Sequence, residues 1–155
     1  MFKSLCLLFA VLTPVSAEEI VVADAAAFAA AAKSIKAGDA LVLKGGTWAD
    51  AKLSLQAEGT AERPITLRTQ TAGKVVFTGD SALSIGGKHL IVDGLWFQNP
   101  TGEEAIALRS EYGKSESDCR VTNCAVTHDL PAKKSGMFAR FVSIYGSRNR
   151  VDHSL

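Results

Sequence analysis

The chain has 155 residues, of which 47% are hydrophobic and 21% charged. These values are typical of one soluble globular domain and not of a disordered protein. The 17 lysines and arginines against 16 aspartates and glutamates give a formal net charge of +1. This balance argues against a nucleic-acid-binding protein, because phosphate binding requires a clear basic excess. A local basic surface for an acidic partner stays open, since positions 129–152 hold five basic residues against two aspartates.

The first 17 residues have the pattern of a secretory signal peptide. Lys3 precedes the apolar run Leu5–Leu12, and Pro14 and the small residues ending at Ala17 resemble a cleavage site. Eight apolar residues are far fewer than the roughly 20 that a membrane-spanning helix needs. We therefore expect no membrane span, a mature domain over residues 18–155, and a periplasmic or secreted protein. The alternative is a buried N-terminal strand.

One helix is predicted near the start of the mature chain, and short strands follow it. Ile20–Val22 is a predicted strand, Asp24 is a suitable N-cap, and helical spacing runs from Ala25 to about Lys36, before Ala37-Gly38. The later strand-like runs are Ala40–Lys44, Ile65–Thr69, Val75–Thr78, Leu83–Ile85, Leu90–Val92, Leu95–Gln98, Ile106–Leu108, Arg120–Thr122, Ala125–Thr127, Phe141–Tyr145 and Arg150–Asp152.

The strands repeat at an interval typical of a solenoid. Val92, Val121 and Val151 hold the same place in three similar segments, 29 and 30 residues apart. A repeat of this length, made of short strands with Gly or Asn at the bends, indicates a coil whose turns stack their apolar side chains. Buried Asn side chains can satisfy backbone groups at such bends. A β-sandwich whose strands share a pattern is the alternative.

The remaining motifs exclude several kinds of site. Cys119 and Cys124 would lie about 16 Å apart in an extended strand, beyond the roughly 7 Å limit of a disulfide, so we expect buried thiols unless a turn joins them. No zinc-ligand spacing occurs. Gly45-Gly46 and Gly86-Gly87 are interpreted as turns with no helix behind them, which argues against a nucleotide site.

A family resemblance rests on short motifs that follow one another in order. They are Gly45-Gly46-Thr47-Trp48, Arg63-Pro64-Ile65-Thr66-Leu67, Gly73-Lys74-Val75-Val76-Phe77-Thr78-Gly79, Leu83-x-Ile85-x-Gly87, Leu90-Ile91-Val92-x-Gly94-Leu95-Trp96-Phe97 and Asn149-Arg150-Val151-Asp152-His153. From about Ile20 to the last residue, the chain resembles the N-terminal part of polysaccharide lyase family 6, the chondroitinase B and alginate lyase family. The resemblance implies an all-β fold, a right-handed, single-stranded parallel β-helix. The helix at 24–36 would cap it, with Phe28 and Ile35 facing the first turn, and its C-terminal end would be incomplete.

The resemblance also implies a reaction. The family cleaves uronic-acid polysaccharides by β-elimination, using a calcium ion held by an Asn and a Glu-x-Glu pair, a Lys base and an Arg. These residues follow the segment that matches Asn149–His153, so we carry over no catalytic or metal-binding residue and expect calcium ligands only beyond Leu155. We therefore expect a fragment of an exported alginate or polymannuronate lyase, inactive alone. Alternatives are a non-catalytic module that binds acidic polysaccharide, a structural β-helix, and a chondroitin or dermatan sulfate lyase.

Candidate substrate-binding residues lie in a long insert between two turns. Lys133, Lys134 and Arg140 could pair with the carboxylates of an acidic polysaccharide, although a solvated basic loop would have the same composition. Arg148 and Arg150 flank a predicted tight turn and are expected to be structural.

Three acidic pairs are interpreted as something other than metal sites. Glu103-Glu104 are expected in a solvated loop. His128-Asp129 and Asp152-His153 are not expected to bind a metal, because neighbouring residues of a strand point to opposite faces.

We expect signal peptidase to remove residues 1–17. Mass spectrometry of the protein from its own host should find a mature N-terminus near Glu18. An intact Met1 on a cytosolic protein would contradict the export prediction.

Overall fold

The computed structural model describes residues 16–109, 117–128 and 140–155. Within these ranges the chain forms one α-helix, α1 (Ala25–Ala32), and short β-strands. The strands are β1 (Glu19–Val22), β2 (Ala40–Leu43), β3 (Gly46–Ala49), β4 (Lys52–Glu58), β5 (Ile65–Thr69), β6 (Val75–Thr78), β7 (Ala82–Lys88), β8 (Leu90–Asp93), β9 (Trp96–Gln98), β10 (Glu104–Leu108), β11 (Arg120–Thr122), β12 (Ala125–Thr127), β13 (Arg140–Ile144) and β14 (Arg150–Asp152). No helix in the described ranges is both long and apolar enough to cross a bilayer.

The strands form three parallel sheets, and each full turn of the chain adds one strand to every sheet. Sheet 1 has the order β1-β2-β5-β8-β11-β14, sheet 2 the order β3-β6-β9-β12, and sheet 3 the order β4-β7-β10-β13. Strands of successive turns pair in parallel, which is the arrangement of a parallel β-helix. Val92 pairs with Val121, and Val121 with Val151. The predicted solenoid and its repeat are confirmed.

The interior is a set of apolar columns that run across the turns. In sheet 2, Trp48 pairs with Phe77, and Phe77 with Phe97. The rings of Phe77 and Phe97 are stacked with centroids 4.9 Å apart, and the Trp48 ring lies 5.8 Å from that of Phe77. All three side chains are buried, so each ring is covered by the ring of the next turn.

Helix α1 covers the first turn, as predicted. Asp24 is its N-cap, since Asp24 Oδ1 accepts a hydrogen bond of 2.7 Å from the Ala27 backbone N–H, and Phe28 is fully buried against the core. The helix is shorter than predicted, because it ends at Ala32 and not near Lys36. Ser34 explains the difference, since its backbone N–H and its hydroxyl both bond to the Ala31 carbonyl and end the helical ladder.

Two expectations about glycine were wrong. Gly46 begins β3, and Gly86 and Gly87 lie inside β7. Gly87 has a φ of +121°, and a Cβ there would collide with the Ala57 carbonyl of β4. These glycines therefore permit a close approach of two strands and do not mark a turn.

The predicted thiols and the predicted Asn role are both observed. Cys119 and Cys124 are buried, and no disulfide joins these two residues. Burial raises the pKa of the Cys124 thiol to about 11. Asn149 Oδ1 accepts a 2.9 Å hydrogen bond from the Cys119 backbone N–H of the preceding turn. Asn149 therefore satisfies a backbone donor at the bend between sheets 3 and 1.

At the same bend, three residues with left-handed backbone conformation precede consecutive strands of sheet 1. They are His89, Asp118 and Arg148, with φ of 51°, 59° and 55°. Arg148 donates two hydrogen bonds to the Asp118 carboxylate, at 2.6 and 2.7 Å. This pairing is the main cause that lowers the pKa of Asp118 to about 2, from an ordinary 3.8. Arg148 is thus a structural residue at a tight turn, as predicted.

The Asp118–Arg148 pair should make stability depend on pH in acid. Because the pKa of Asp118 is lower in the folded chain than in the unfolded chain, its stabilisation is fully present above the unfolded value of 3.8 and is lost as the pH falls from there towards about 2. Urea unfolding at a series of pH values should show a weaker decline in this window for Asp118→Asn than for the wild type.

Arg148→Gln is the matched variant, because it removes the cause of the shift and leaves the carboxylate. It should weaken the same decline. Wild-type and variant curves that run parallel between about pH 4 and pH 2 would contradict the assignment.

Candidate functional site

The outer face of sheet 3 carries a shallow groove. Its floor is a row of small side chains, because Ser54 pairs with Ser84 and Ser84 pairs with Ala107. Larger side chains at its two ends are Lys52, Glu104 and Arg109, and the enclosed volume is about 330 Å³. We call this feature the sheet 3 groove. Since neighbouring strands are about 4.8 Å apart, it crosses about 10 Å of sheet and lies open to solvent along its length.

Arg109 is held at one end of the sheet 3 groove by contacts on three sides. Its guanidinium bonds to Glu104 Oε1 at 2.6 Å and lies 5.5 Å from the centroid of the Tyr145 ring. The Ser84 hydroxyl donates to its backbone carbonyl at 3.1 Å. The Arg109 side chain is nevertheless 54% exposed. An arginine restrained in this way loses less side-chain entropy when it binds a carboxylate.

Lys52 stands at the opposite end and is less firmly held. Its Nζ lies 2.6 Å from Asp80 Oδ1, and more than half of each side chain is exposed. An ion pair this exposed is weak, so the Lys52 ammonium can exchange its partner for another anion at little cost.

The predicted substrate-binding residues fall partly in this region. Arg140 is the exposed first residue of β13 and pairs in register with Glu104 of the groove. Its backbone N–H donates to the Glu103 carbonyl at 3.1 Å. Lys133 and Lys134 lie outside the described residues, in the segment that joins β12 to β13. The structure thus places one of the three predicted residues beside the groove.

Glu104 differs from its prediction as a solvated loop residue. It begins β10, and only 19% of its side chain is exposed, because the carboxylate is paired with Arg109. Lys52 and Arg109 were not predicted as site residues. The signal for Lys52 was present in the alternating polar and apolar residues from Lys52 to Gln56, which indicate a strand with one exposed face.

The outer face of sheet 1 also carries basic residues, but they surround a carboxylate. Arg120 bonds to both oxygens of Asp152, at 3.1 and 3.0 Å, and Arg150 contacts Asp152 Oδ2. The neighbouring Thr122 hydroxyl, followed by Arg120 and His153, holds the pKa of Asp152 well below its usual range. The arginines of this cluster are therefore already compensated by an anion of the chain itself.

His153 corrects one geometric expectation. Its Nδ1 lies 3.3 Å from Asp152 Oδ1, although the two residues are adjacent. They do not diverge as strand neighbours would, because His153 follows the end of β14 and has a φ of 49°. Asp129, the partner of His128 in the other pair, is outside the described residues.

The described residues do not fit the calcium ion that the family resemblance implies. Nowhere in 16–109, 117–128 and 140–155 do three His, Cys, Asp or Glu side chains come together as a metal site. Calcium requires several oxygen ligands around one point, and the acidic side chains of the sheet 3 groove are each paired with a cation.

Comparison with solved structures relates the chain to lyases. It is 38% identical to the PL6 family alginate lyase AlyGC, with a TM-score of 0.79 over 87% of this chain and 19% of that one. A PL6 family polysaccharide lyase from Pseudopedobacter saltans is 29% identical, with a TM-score of 0.72 over 85% of this chain and 30% of that one. A mannuronic acid specific family 6 lyase from human gut microbiota is 27% identical, with a TM-score of 0.72 over 88% of this chain and 33% of that one.

The chain thus spans about a fifth of the length of AlyGC. No curated protein matches the sequence significantly. The sequence profile of the family described as Chondroitinase B matches residues 22–155, nearly the whole of the mature chain. Together with the order of turns and the parallel register, this match shows that the chain belongs to the chondroitinase B family, polysaccharide lyase family 6.

Proposed function

We propose that the chain is the N-terminal part of an exported lyase that cleaves alginate by β-elimination, and that its sheet 3 groove binds the polymer. The carrying observation is the basic rim of that groove on a chain whose family is known. Lys52, Arg109 and Arg140 line or adjoin the groove, and two acidic residues, Asp80 and Glu104, pair with the first two. Alginate as the substrate is supported by the relatives that are alginate lyases or act on mannuronic acid.

The chemistry explains why this part of the lyase would bind without reacting. Elimination removes the proton on C5, next to the sugar carboxylate, and expels the oxygen linked to C4. The proton becomes acidic enough only when a cation neutralises the carboxylate and a base of suitable pKa stands beside C5. Calcium would supply that neutralisation in a complete lyase, but the described residues offer no site for it. The proposed role of the sheet 3 groove is therefore to hold and orient a polymer whose reacting bond lies elsewhere.

Arg109 is best placed to recognise a sugar carboxylate. Glu104 and the Tyr145 ring fix its guanidinium, while more than half of its side chain faces solvent. A planar guanidinium can form two parallel hydrogen bonds with a carboxylate, which a hydroxyl group of a neutral sugar cannot match. Lys52, at the other end, would act as a less directional charge.

Binding of polymannuronate should depend on these two residues and on salt. Arg109→Gln and Lys52→Gln should each weaken binding by about 1 kcal/mol, or about fivefold, and the affinity should fall as salt rises from about 0.05 M to about 0.5 M. Isothermal titration calorimetry of the 155-residue chain with polymannuronate oligomers would measure both effects.

Lys44→Gln is the control, because Lys44 is an exposed lysine between sheets 1 and 2 and lies outside the sheet 3 groove. It removes the same charge and should leave binding nearly unchanged. Equal losses in Lys44→Gln and Arg109→Gln, or no binding at low salt, would refute the assignment of the groove.

The 155-residue chain should release no unsaturated sugar from alginate, polymannuronate or dermatan sulfate, with or without calcium. Removal of one stabilising group from a catalytic site typically costs a hundredfold to a thousandfold in rate, about 3–4 kcal/mol, and both the base and the cation are expected outside the described residues. The product of the complete gene should form the ultraviolet-absorbing C4–C5 double bond and lose this activity to a chelator.

Two results would change the proposal in different ways. Unsaturated product from the short chain would show that the active site lies within it, and Lys133, Lys134 and Arg140 would be the first residues to substitute. A complete gene product that binds alginate but never forms the double bond would favour a non-catalytic binding protein.

A further inference from the structure

A second groove lies where sheet 1 turns into sheet 2, and it shares no residue with the sheet 3 groove. Its volume is about 600 Å³. The side chains that matter for the argument are Arg68, Asp93, Trp96, Asn123 and Thr127. We call this feature the Trp96 groove.

The Trp96 groove exists because the bends of successive turns differ in length. Five residues, 70–74, join β5 to β6, whereas two residues join β8 to β9 and two join β11 to β12. The longer bend forms a wall that includes Ala72 and Gly73, and the shorter bends form the floor beside it. Gly94, at a φ of 80°, and Asn123, at a φ of 53°, make these short bends possible.

Trp96 lies on the outer surface of sheet 2 and is held there. It is flanked in register by Val76 on one side and Ala125 on the other. Its indole Nε1 donates a 2.9 Å hydrogen bond to Thr127 Oγ1 of the next strand. A ring restrained in this way presents an apolar surface without losing further side-chain entropy when a ligand binds.

Polar groups stand at the edge of the same groove in fixed orientations. Asn123 Nδ2 donates a 2.8 Å hydrogen bond to Asp93 Oδ1. A carboxylate and a primary amide in this arrangement keep acceptor capacity on their second oxygens and a second amide proton. Hydroxyl groups are suitable partners, because they can both donate and accept.

The charges of the Trp96 groove do not favour an anion. Arg68 is paired with Glu19 at 2.8 Å and also donates to the Thr69 carbonyl. Asp93 contributes a negative charge at the floor. A ligand recognised through its carboxylate would gain little from the Arg68 guanidinium and would be repelled by Asp93.

We propose that the Trp96 groove is a carbohydrate-binding site that recognises the pyranose ring and its hydroxyl groups, and not the carboxylate. The apolar C–H face of the sugar stacks on Trp96, while its hydroxyls bond to Asp93 and Asn123. The open groove accommodates an internal segment of a β-linked polysaccharide. This inference does not depend on the activity of the sheet 3 groove.

The experiment compares two tetrasaccharides that share a ring configuration and differ only in charge, β-1,4-linked mannotetraose and β-1,4-linked tetramannuronate. Titration of an Arg109→Gln chain, in which the sheet 3 groove is weakened, should give binding of both sugars with similar affinity and little dependence on salt. Calorimetry measures the affinity. Tryptophan fluorescence should change as well, because the only other tryptophan, Trp48, is buried in the core.

Two variants test the residues. Trp96→Ala should weaken mannotetraose binding about tenfold or more in calorimetry, because it removes the stacking surface. Thr127→Val has nearly the same shape but no acceptor for the indole N–H, so it should weaken binding severalfold while Trp96 stays in place. Circular dichroism of both variants controls for folding.

Three results would overturn the inference. Mannotetraose may be wholly without binding while tetramannuronate binds in a salt-dependent manner, which would leave only the sheet 3 groove. Trp96→Ala with wild-type circular dichroism and undiminished mannotetraose affinity would remove Trp96 from the site. An unchanged affinity in Thr127→Val, together with an unchanged fluorescence response, would show that the restrained ring has no role.

Discussion

The fold depends on one constraint, which is that each turn must place apolar side chains directly over those of the turn before. Phe77 and Phe97 stack at 4.9 Å, and Val92, Val121 and Val151 follow one another in register. A side chain in such a column is desolvated by its neighbours above and below, so a turn out of register would expose its own apolar residues and those of the adjacent turn. The constraint fixes the strands and leaves bend length and outward side chains free to vary.

Both grooves result from this freedom. The sheet 3 groove arises because outward positions of three consecutive strands hold the small residues Ser54, Ser84 and Ala107. The Trp96 groove arises because one bend is longer than the bends after it. Neither feature alters the interior columns, so binding surfaces can differ between members of such a fold while the core stays the same.

The same distinction explains what the sequence could predict. The valine repeat and the N-cap Asp24 were readable because stacking and capping repeat a residue type at a fixed place. Glu104 was wrongly expected in a loop, because its burial depends on Arg109, a residue that reaches it only in the folded chain. Gly87 was wrongly expected in a turn, since the strand that approaches it belongs to the previous turn. Contacts between turns are invisible to local patterns.

Charge alone does not identify a binding surface on this chain, because the two basic faces differ in what their cations already contact. On sheet 1, Arg120 and Arg150 converge on Asp152, whose carboxylate is 13% exposed and lies between them. An anionic polymer would have to displace a well-bonded carboxylate, and the gain would be offset by the loss. On sheet 3, Lys52 has only an exposed ion pair, and Arg109 keeps an exposed guanidinium edge. An anion there adds contacts and removes few, which is why the sheet 3 groove is the better candidate for polysaccharide binding.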